Sequence, residues 1–173
     1  MALPADGEGL ILAIPFVTAI LLVFITNYRL SARLNAGSAF LTLLAALSLL
    51  VVKPETGPFL LVDDLNIVFI VLNTLVGFTT SVFSASYIAH ELDTGRLSKT
   101  QLRFYHAMYQ ILLFAMNLSL LANNIGLMWV AIELATLTTV LMVGIYRTHE
   151  ALEAAWKYFI LGSVGIALAL FGT

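Results

Sequence analysis

Glu133 is the residue in this chain best placed to do chemistry. It lies in the run Trp129-Val130-Ala131-Ile132-Glu133-Leu134-Ala135-Thr136-Leu137, inside an apolar stretch long enough to cross a bilayer. It is about nine residues from the outer end of that stretch, roughly 12–14 Å deep at 1.5 Å per residue. A carboxylate at that depth must be neutral, paired or next to water. Burial favours the neutral acid and a nearby ammonium favours the carboxylate. A group balanced between the two takes up and releases protons when its surroundings change slightly. Thr136 follows three residues later on the same helix face, placed to donate a hydrogen bond. The competing reading of Glu133 is a structural carboxylate that locks helices together.

Lys157 comes next, in Ala154-Ala155-Trp156-Lys157-Tyr158-Phe159. It sits about one and a half turns into the following apolar stretch, close enough to the interface for its ammonium to snorkel. Glu133 is roughly 10 Å deeper along the bundle by helix rise. A water-linked pair that titrates as a coupled system is therefore expected in preference to a direct salt bridge. Glu153, at the edge of the same stretch, is expected to be solvated.

Asn73 and Asn117 fall inside apolar stretches. Each either hydrogen-bonds another helix or orders water in a proton path. His90, His106 and His149 fall in or beside the cytoplasmic loops, where a histidine is ordinarily a surface group. His106, at the inner end of the fourth stretch, is the one placed to relay protons. Asp63-Asp64 reads as a solvated turn, with cation attraction as the alternative. No phosphate loop, nucleophile elbow or zinc-ligand spacing occurs.

The elements that must position these groups are membrane helices. Crossing about 30 Å of hydrocarbon takes about 20 mostly apolar residues. Stretches at 9–27, 34–52, 66–89, 104–122, 125–146 and 152–171 qualify. The fold class expected is therefore all-α integral membrane, with six transmembrane helices. Pro15 lies within the first stretch, where membrane helices tolerate it. The head of the chain carries Asp6 and Glu8 and no lysine or arginine, unlike a signal peptide. The first stretch is thus read as a retained helix with its N-terminus outside. Arg29, Arg33, Arg96, Lys99, Arg103 and Arg147 then fall on the cytoplasmic side and only Lys53 on the other, a strong positive-inside bias.

The 173-residue composition agrees: 61% hydrophobic, 10% charged, mean hydropathy +1.00. A soluble domain holds about 25% charged residues. A net charge of −2 gives no basic footprint for nucleic acid. With no cysteine there is no disulfide framework, thiolate zinc site or cysteine-held iron–sulfur cluster in the chain. The Asn123-Asn124 connection forces the fourth and fifth stretches into a hairpin. Small-residue stripes at Gly162, Gly165, Ala169 and Gly172, and at Gly77, Ser81 and Ser84, suit close helix packing. The chain stops at Phe171-Gly172-Thr173 without a polar tail, so a partial chain is expected.

Residues 123–137, Tyr146-Arg147-Thr148 and residues 153–162 together resemble the antiporter-like subunits of complex I and its hydrogenase relatives. Within that superfamily the resemblance is strongest to the F subunit of hydrogenase-4. It is specific over 104–173, looser around Val62-Asp63-Asp64-Leu65-Asn66 and Gly77, and rests on hydrophobic character alone in the first two stretches. It implies that residues 1–103 are three leading helices and 104–173 the first three helices of an antiporter-like repeat, itself incomplete. It implies that Glu133 is the family's intramembrane glutamate and Lys157 a lysine of the following helix, together starting a polar axis for protons. His106, Asn117 and Thr136 are candidates for the path. It further implies location in the inner (cytoplasmic) membrane. The partners implied are membrane and peripheral subunits of a hydrogenase or complex I-like assembly, with nickel–iron and iron–sulfur centres in those subunits and no cofactor in this chain. The function expected is a proton-translocating subunit coupled to redox chemistry elsewhere. A cation/proton antiporter component and a structural membrane anchor are the alternatives.

Overall fold

The computed structural model describes residues 7–54 and 57–173. The acidic head before Gly7, and Glu55 and Thr56 of the turn-rich loop, lie outside the described residues. The helices are α1 (Gly7–Phe24), α2 (Tyr28–Ser48), α3 (Asp64–Asp93), α4 (Lys99–Leu121), α5 (Ile125–Val143) and α6 (His149–Gly172). All six are long and apolar enough to span a membrane, α5 counting its extension to Tyr146. Pro15 is buried within α1, which continues through it.

Polar caps decide where the helices begin. The Asn27 side chain accepts from the Arg29 and Leu30 amides, so α2 starts before the expected apolar stretch and carries both Arg29 and Arg33 in its first turns. Asp63 and Asn66 form a reciprocal capping box on α3, and Ser98 and Gln101 do the same on α4. Asn124 caps α5 and Thr148 caps α6. Each cap satisfies amides that would otherwise lack partners at the helix end. Asp63-Asp64 is accordingly not a free solvated turn: Asp63 caps α3 and Asp64 pairs with Lys53. A 3₁₀ turn, Gly144–Tyr146, extends α5, and Arg147 ends it in a left-handed conformation with φ 54°.

The helices alternate in direction. Thr26, Asn27 and Tyr28 share a cavity wall with Lys99, and Gln101 Nε2 donates to the Ile145 carbonyl at 2.6 Å. The connections after α1, α3 and α5 therefore gather at one end, the end that holds Arg29, Arg96, Lys99 and Arg147. At the opposite end Gly7 meets Leu49, and Thr173 lines a small cleft with Ile125 and Met128. There the α2–α3 loop is clipped to the α4–α5 connection. Leu61 N donates to Leu121 O at 2.8 Å, Asn123 N donates to Phe59 O at 2.9 Å, and Leu60 bridges Ala122.

Helices α1 to α4 enclose the core. At the Lys53 end Ile11, Leu49, Val62, Ile67, Ile70 and Leu121 pack together. Midway, Ala39, Tyr109 and Leu113 pack with Phe78 and Met142. At the basic end Ile88, Leu97 and Leu102 close over Ile145. The α5–α6 hairpin lies beside this bundle, joined to it through α4.

Candidate functional site

Glu133 occupies the middle of α5, the ninth of its 19 residues. It is held from α6. Ser163 Oγ donates to Glu133 Oε1 at 2.7 Å, while Oε2 is buried with no partner among the described residues. The side chain is half-buried, in an apolar hairpin. One hydroxyl is a weak counterpart for an ionised carboxylate, which has room for several donors. The free oxygen suits a proton, a water or a further donor. Ser163 was not singled out from the sequence. Its signal was available in the antiparallel register, which sets the middle of α6 against the middle of α5.

Thr136 does not reach Glu133. Its hydroxyl donates to the Ile132 carbonyl one turn back at 3.0 Å, the usual recourse of threonine in a membrane helix. Its methyl packs instead where a Cβ on Gly162 would stand 3.1 Å away. Gly162 thus lets α6 approach α5 at the level of the carboxylate. Gly165 and Gly172, from the same expected stripe, face open space.

Lys157 is not paired with Glu133. It lies six residues along α6 from Ser163, on the side of the basic end, about 9 Å by helix rise. Its ammonium lies 2.5 Å from Glu153 Oε1, four residues back on the same helix. Glu153 is therefore an ion-pair partner rather than a solitary solvated group. Both side chains are more than half exposed, so the pair contributes little stability.

Asn73 and Asn117 join α3 to α4. Asn73 Nδ2 donates to Asn117 Oδ1 at 2.9 Å, and Asn117 is fully buried with its own amide nitrogen unpartnered. His106 is not at the surface. It is 1% exposed, two turns inside α4, and neither ring nitrogen has a partner among the described residues. The difference arises from the helix start: with Ser98 as cap, α4 begins at Lys99, and the first turns carry His106 into the bundle.

A second polar group was missed altogether. Gln110 is fully buried between α2 and α4. Its Nε2 donates to Asn35 Oδ1 at 2.8 Å and to the Asn35 carbonyl at 3.1 Å, and Ser38 Oγ donates to its Oε1 at 3.3 Å. The spacing was there to be read. Ser31, Asn35, Ser38 and Thr42 follow one another by four, three and four residues, the stripe of one helix face.

Among the described residues no three His, Asp or Glu side chains gather where they could hold a metal ion. Glu133 with Ser163 forms an acid site in the α5–α6 hairpin, and the amides and His106 form a separate interior in the bundle.

Residues 122–173, which contain that acid site, match the family described as NADH:quinone oxidoreductase/Mrp antiporter, transmembrane. Over 163 residues, 94% of the chain, the sequence is 62% identical to the hydrogenase-4 component F homolog of Methylacidiphilum infernorum, of which it covers 34%. It is 43% identical over 68 residues to F(420)H(2) dehydrogenase subunit N of Methanosarcina mazei, covering 37% of this chain and 14% of that one. It is 35% identical over 99 residues to NADH-quinone oxidoreductase subunit N of Francisella tularensis, covering 57% and 20%. The chain spans about a third of the length of the first relative and less of the others. Six apolar helices make the chain an all-α membrane protein, and its residues 122–173, with Glu133 among them, are similar to the NADH:quinone oxidoreductase/Mrp antiporter family.

Proposed function

We propose that this chain serves in a proton-translocating membrane subunit of a membrane-bound nickel–iron hydrogenase complex of the formate hydrogenlyase type. The observation that carries the reading is Glu133: an acid at mid-membrane, held by a single serine hydroxyl, with its second oxygen buried and unpartnered. A carboxyl group in that setting has one oxygen left for a proton, a water or a further donor. Redox chemistry in a neighbouring subunit would change the field around it. Lys157, released from Glu153, is the lysine of the same helix pair. His106, Asn117 and Thr136 are candidate members of the path. The chain supplies no redox group; nickel–iron and iron–sulfur centres would sit in partner subunits. Residues 1–103 act as a leading three-helix unit and 104–173 as the opening of the antiporter-like repeat. The membrane in this reading is the inner one, and the basic residues gathered at one end support an orientation with the N-terminus outside.

The test is Glu133→Gln in the complete complex, reconstituted in sealed vesicles. The substitution keeps size and hydrogen-bonding capacity and removes ionisation. Proton uptake coupled to electron transfer should fall to background while the complex still assembles. Unchanged proton movement would remove the relay role, and loss of assembly alone would favour a structural anchor. Nickel in stoichiometric amount in the complex purified through this subunit would support the hydrogenase partner. Similarity to NADH-quinone oxidoreductase subunits N and L favours a complex I-type subunit as the second reading, and an intact complex free of nickel would select it.

A further inference from the structure

The interior between α2 and α4 holds an unusual concentration of unsatisfied polar atoms. Ser31 Oγ, Asn35 Nδ2, Arg103 Nε and both ring nitrogens of His106 are buried without a partner among the described residues. Ser31 and Asn35 are fully buried and His106 is 1% exposed. All five atoms belong to the basic-end half of two helices that run in the same direction. The bonds from Gln110 to Asn35 and from Ser38 to Gln110 fix the register of those helices. One turn nearer the basic end, that register sets His106 level with Ser31.

A neutral imidazole carries one donor and one acceptor, and an imidazolium carries two donors. No state of His106 is satisfied by an apolar surround. Each buried polar atom left unpaired is a desolvation cost with nothing to offset it. Internal water is the usual remedy, and one water ordinarily bonds to two to four protein groups. Ser31, Asn35 and His106 offer both donors and acceptors on facing helices. Gln110 is already committed to Asn35 and Ser38.

We propose that Ser31, Asn35, His106 and Gln110 enclose an internal water cluster between α2 and α4, entered from the Arg103 side and closed beyond Gln110. The closure is Leu113. It is buried, one turn past Gln110, and presses on α3 so tightly that a Cβ on Gly77 would stand 2.5 Å from its Cδ2. Tyr109 adds a bond across the same level, its hydroxyl donating to the Gly77 carbonyl at 2.7 Å. The polar stripe of α4 resumes at Asn117, but on the far side of this apolar plug. The cluster is therefore a hydrated pocket that gives His106 contact with water and stops at Leu113, short of Asn117. This site is separate from Glu133 and does not rest on the translocation reading.

X-ray radiolytic footprinting tests it, because hydroxyl radicals generated from bound water label the side chains beside that water. The experiment uses the membrane protein in its native assembly, with mass-spectrometric readout. After correction for intrinsic reactivity, His106 should be labelled several-fold faster than the buried Tyr109 and Leu113. In a Ser31→Ala/Asn35→Leu variant its labelling should fall to their level. An unlabelled His106 in the unsubstituted protein would show a dry interior and overturn the proposal without any variant. Labelling that survives the double substitution would place the water elsewhere and overturn it equally. Transfer of magnetisation from water to ¹⁵N-labelled His106 in solid-state NMR gives a second readout that needs no substitution. None of these measures proton transport, so failure here leaves the role of Glu133 standing, and the reverse.

Discussion

The α1–α4 bundle and the α5–α6 hairpin handle polarity in opposite ways. In the bundle, α2 and α4 bury nine residues each, and their amides bond across helices: Gln110 to Asn35, Ser38 to Gln110, Asn73 to Asn117. In the hairpin, α5 buries only Ala131 and Thr138, and α6 only Ala155. The hairpin's ionisable groups are held loosely, Glu133 by one hydroxyl and Lys157 by an exposed neighbour. The lesson is that polar residues in one membrane chain serve two purposes. Interhelical amides with fixed partners set register and rigidity. An acid held by one hydroxyl, with a spare buried oxygen, leaves room for a further partner.

Breaking the contrast takes substitutions on each side of it. The largest effect expected is functional and confined to the hairpin: Glu133→Gln abolishes coupled proton uptake and leaves thermal unfolding of the purified complex nearly unchanged. In the bundle, Gly77→Leu should be the most destabilising change, about 1–3 kcal/mol from overpacking, seen as a lowered unfolding midpoint in detergent. Gly162→Ala in the hairpin should cost less than Gly77→Ala. Its added carbon meets a threonine methyl at 3.1 Å, against 2.5 Å at Leu113. Equal losses would mean that the hairpin is as tightly packed as the bundle. Gln110→Leu should cost about 1–2 kcal/mol, the upper range for interhelical hydrogen bonds in membranes. A smaller loss would mean that Asn35 and Ser38 find other partners. The smallest effect expected is Glu153→Gln, within about 0.5 kcal/mol, as for an exposed pair four residues apart on a helix.

The legibility of the molecule divides along the same line. Apolar length located six spans, and the uneven distribution of basic residues anticipated which connections share an end. Glu133 was visible because a carboxylate in an otherwise apolar run stands out from every neighbour. His106 was misread because the span was started at residue 104, where the apolar run begins, rather than at the Ser98 cap. Polar residues in the first turns of a membrane helix belong to the helix, and a hydropathy window excludes them. The Gln110 network was missed for another reason. Serine and threonine are weakly polar on hydropathy grounds and Asn35 is one residue among many apolar ones, so α2 read as a plain span although its stripe was regular. Ser163 needed the register between α5 and α6, which no local pattern contains.

The clip at the Lys53 end has a consequence for biogenesis. Asn123 supplies two of its bonds, one from the backbone to Phe59 and one from the side chain to Gly57, its partner 66 residues earlier. Synthesis runs from the N-terminus, so the loop around Gly57 leaves the ribosome long before the residue that fastens it. During that interval α1, α2 and α3 are inserted beneath an open loop. The stitch forms only when α4 has crossed and delivered Asn123 to the same face. Closure of the loop therefore reports that the fourth helix is in place, and it fixes the point from which the hairpin bearing Glu133 is then threaded.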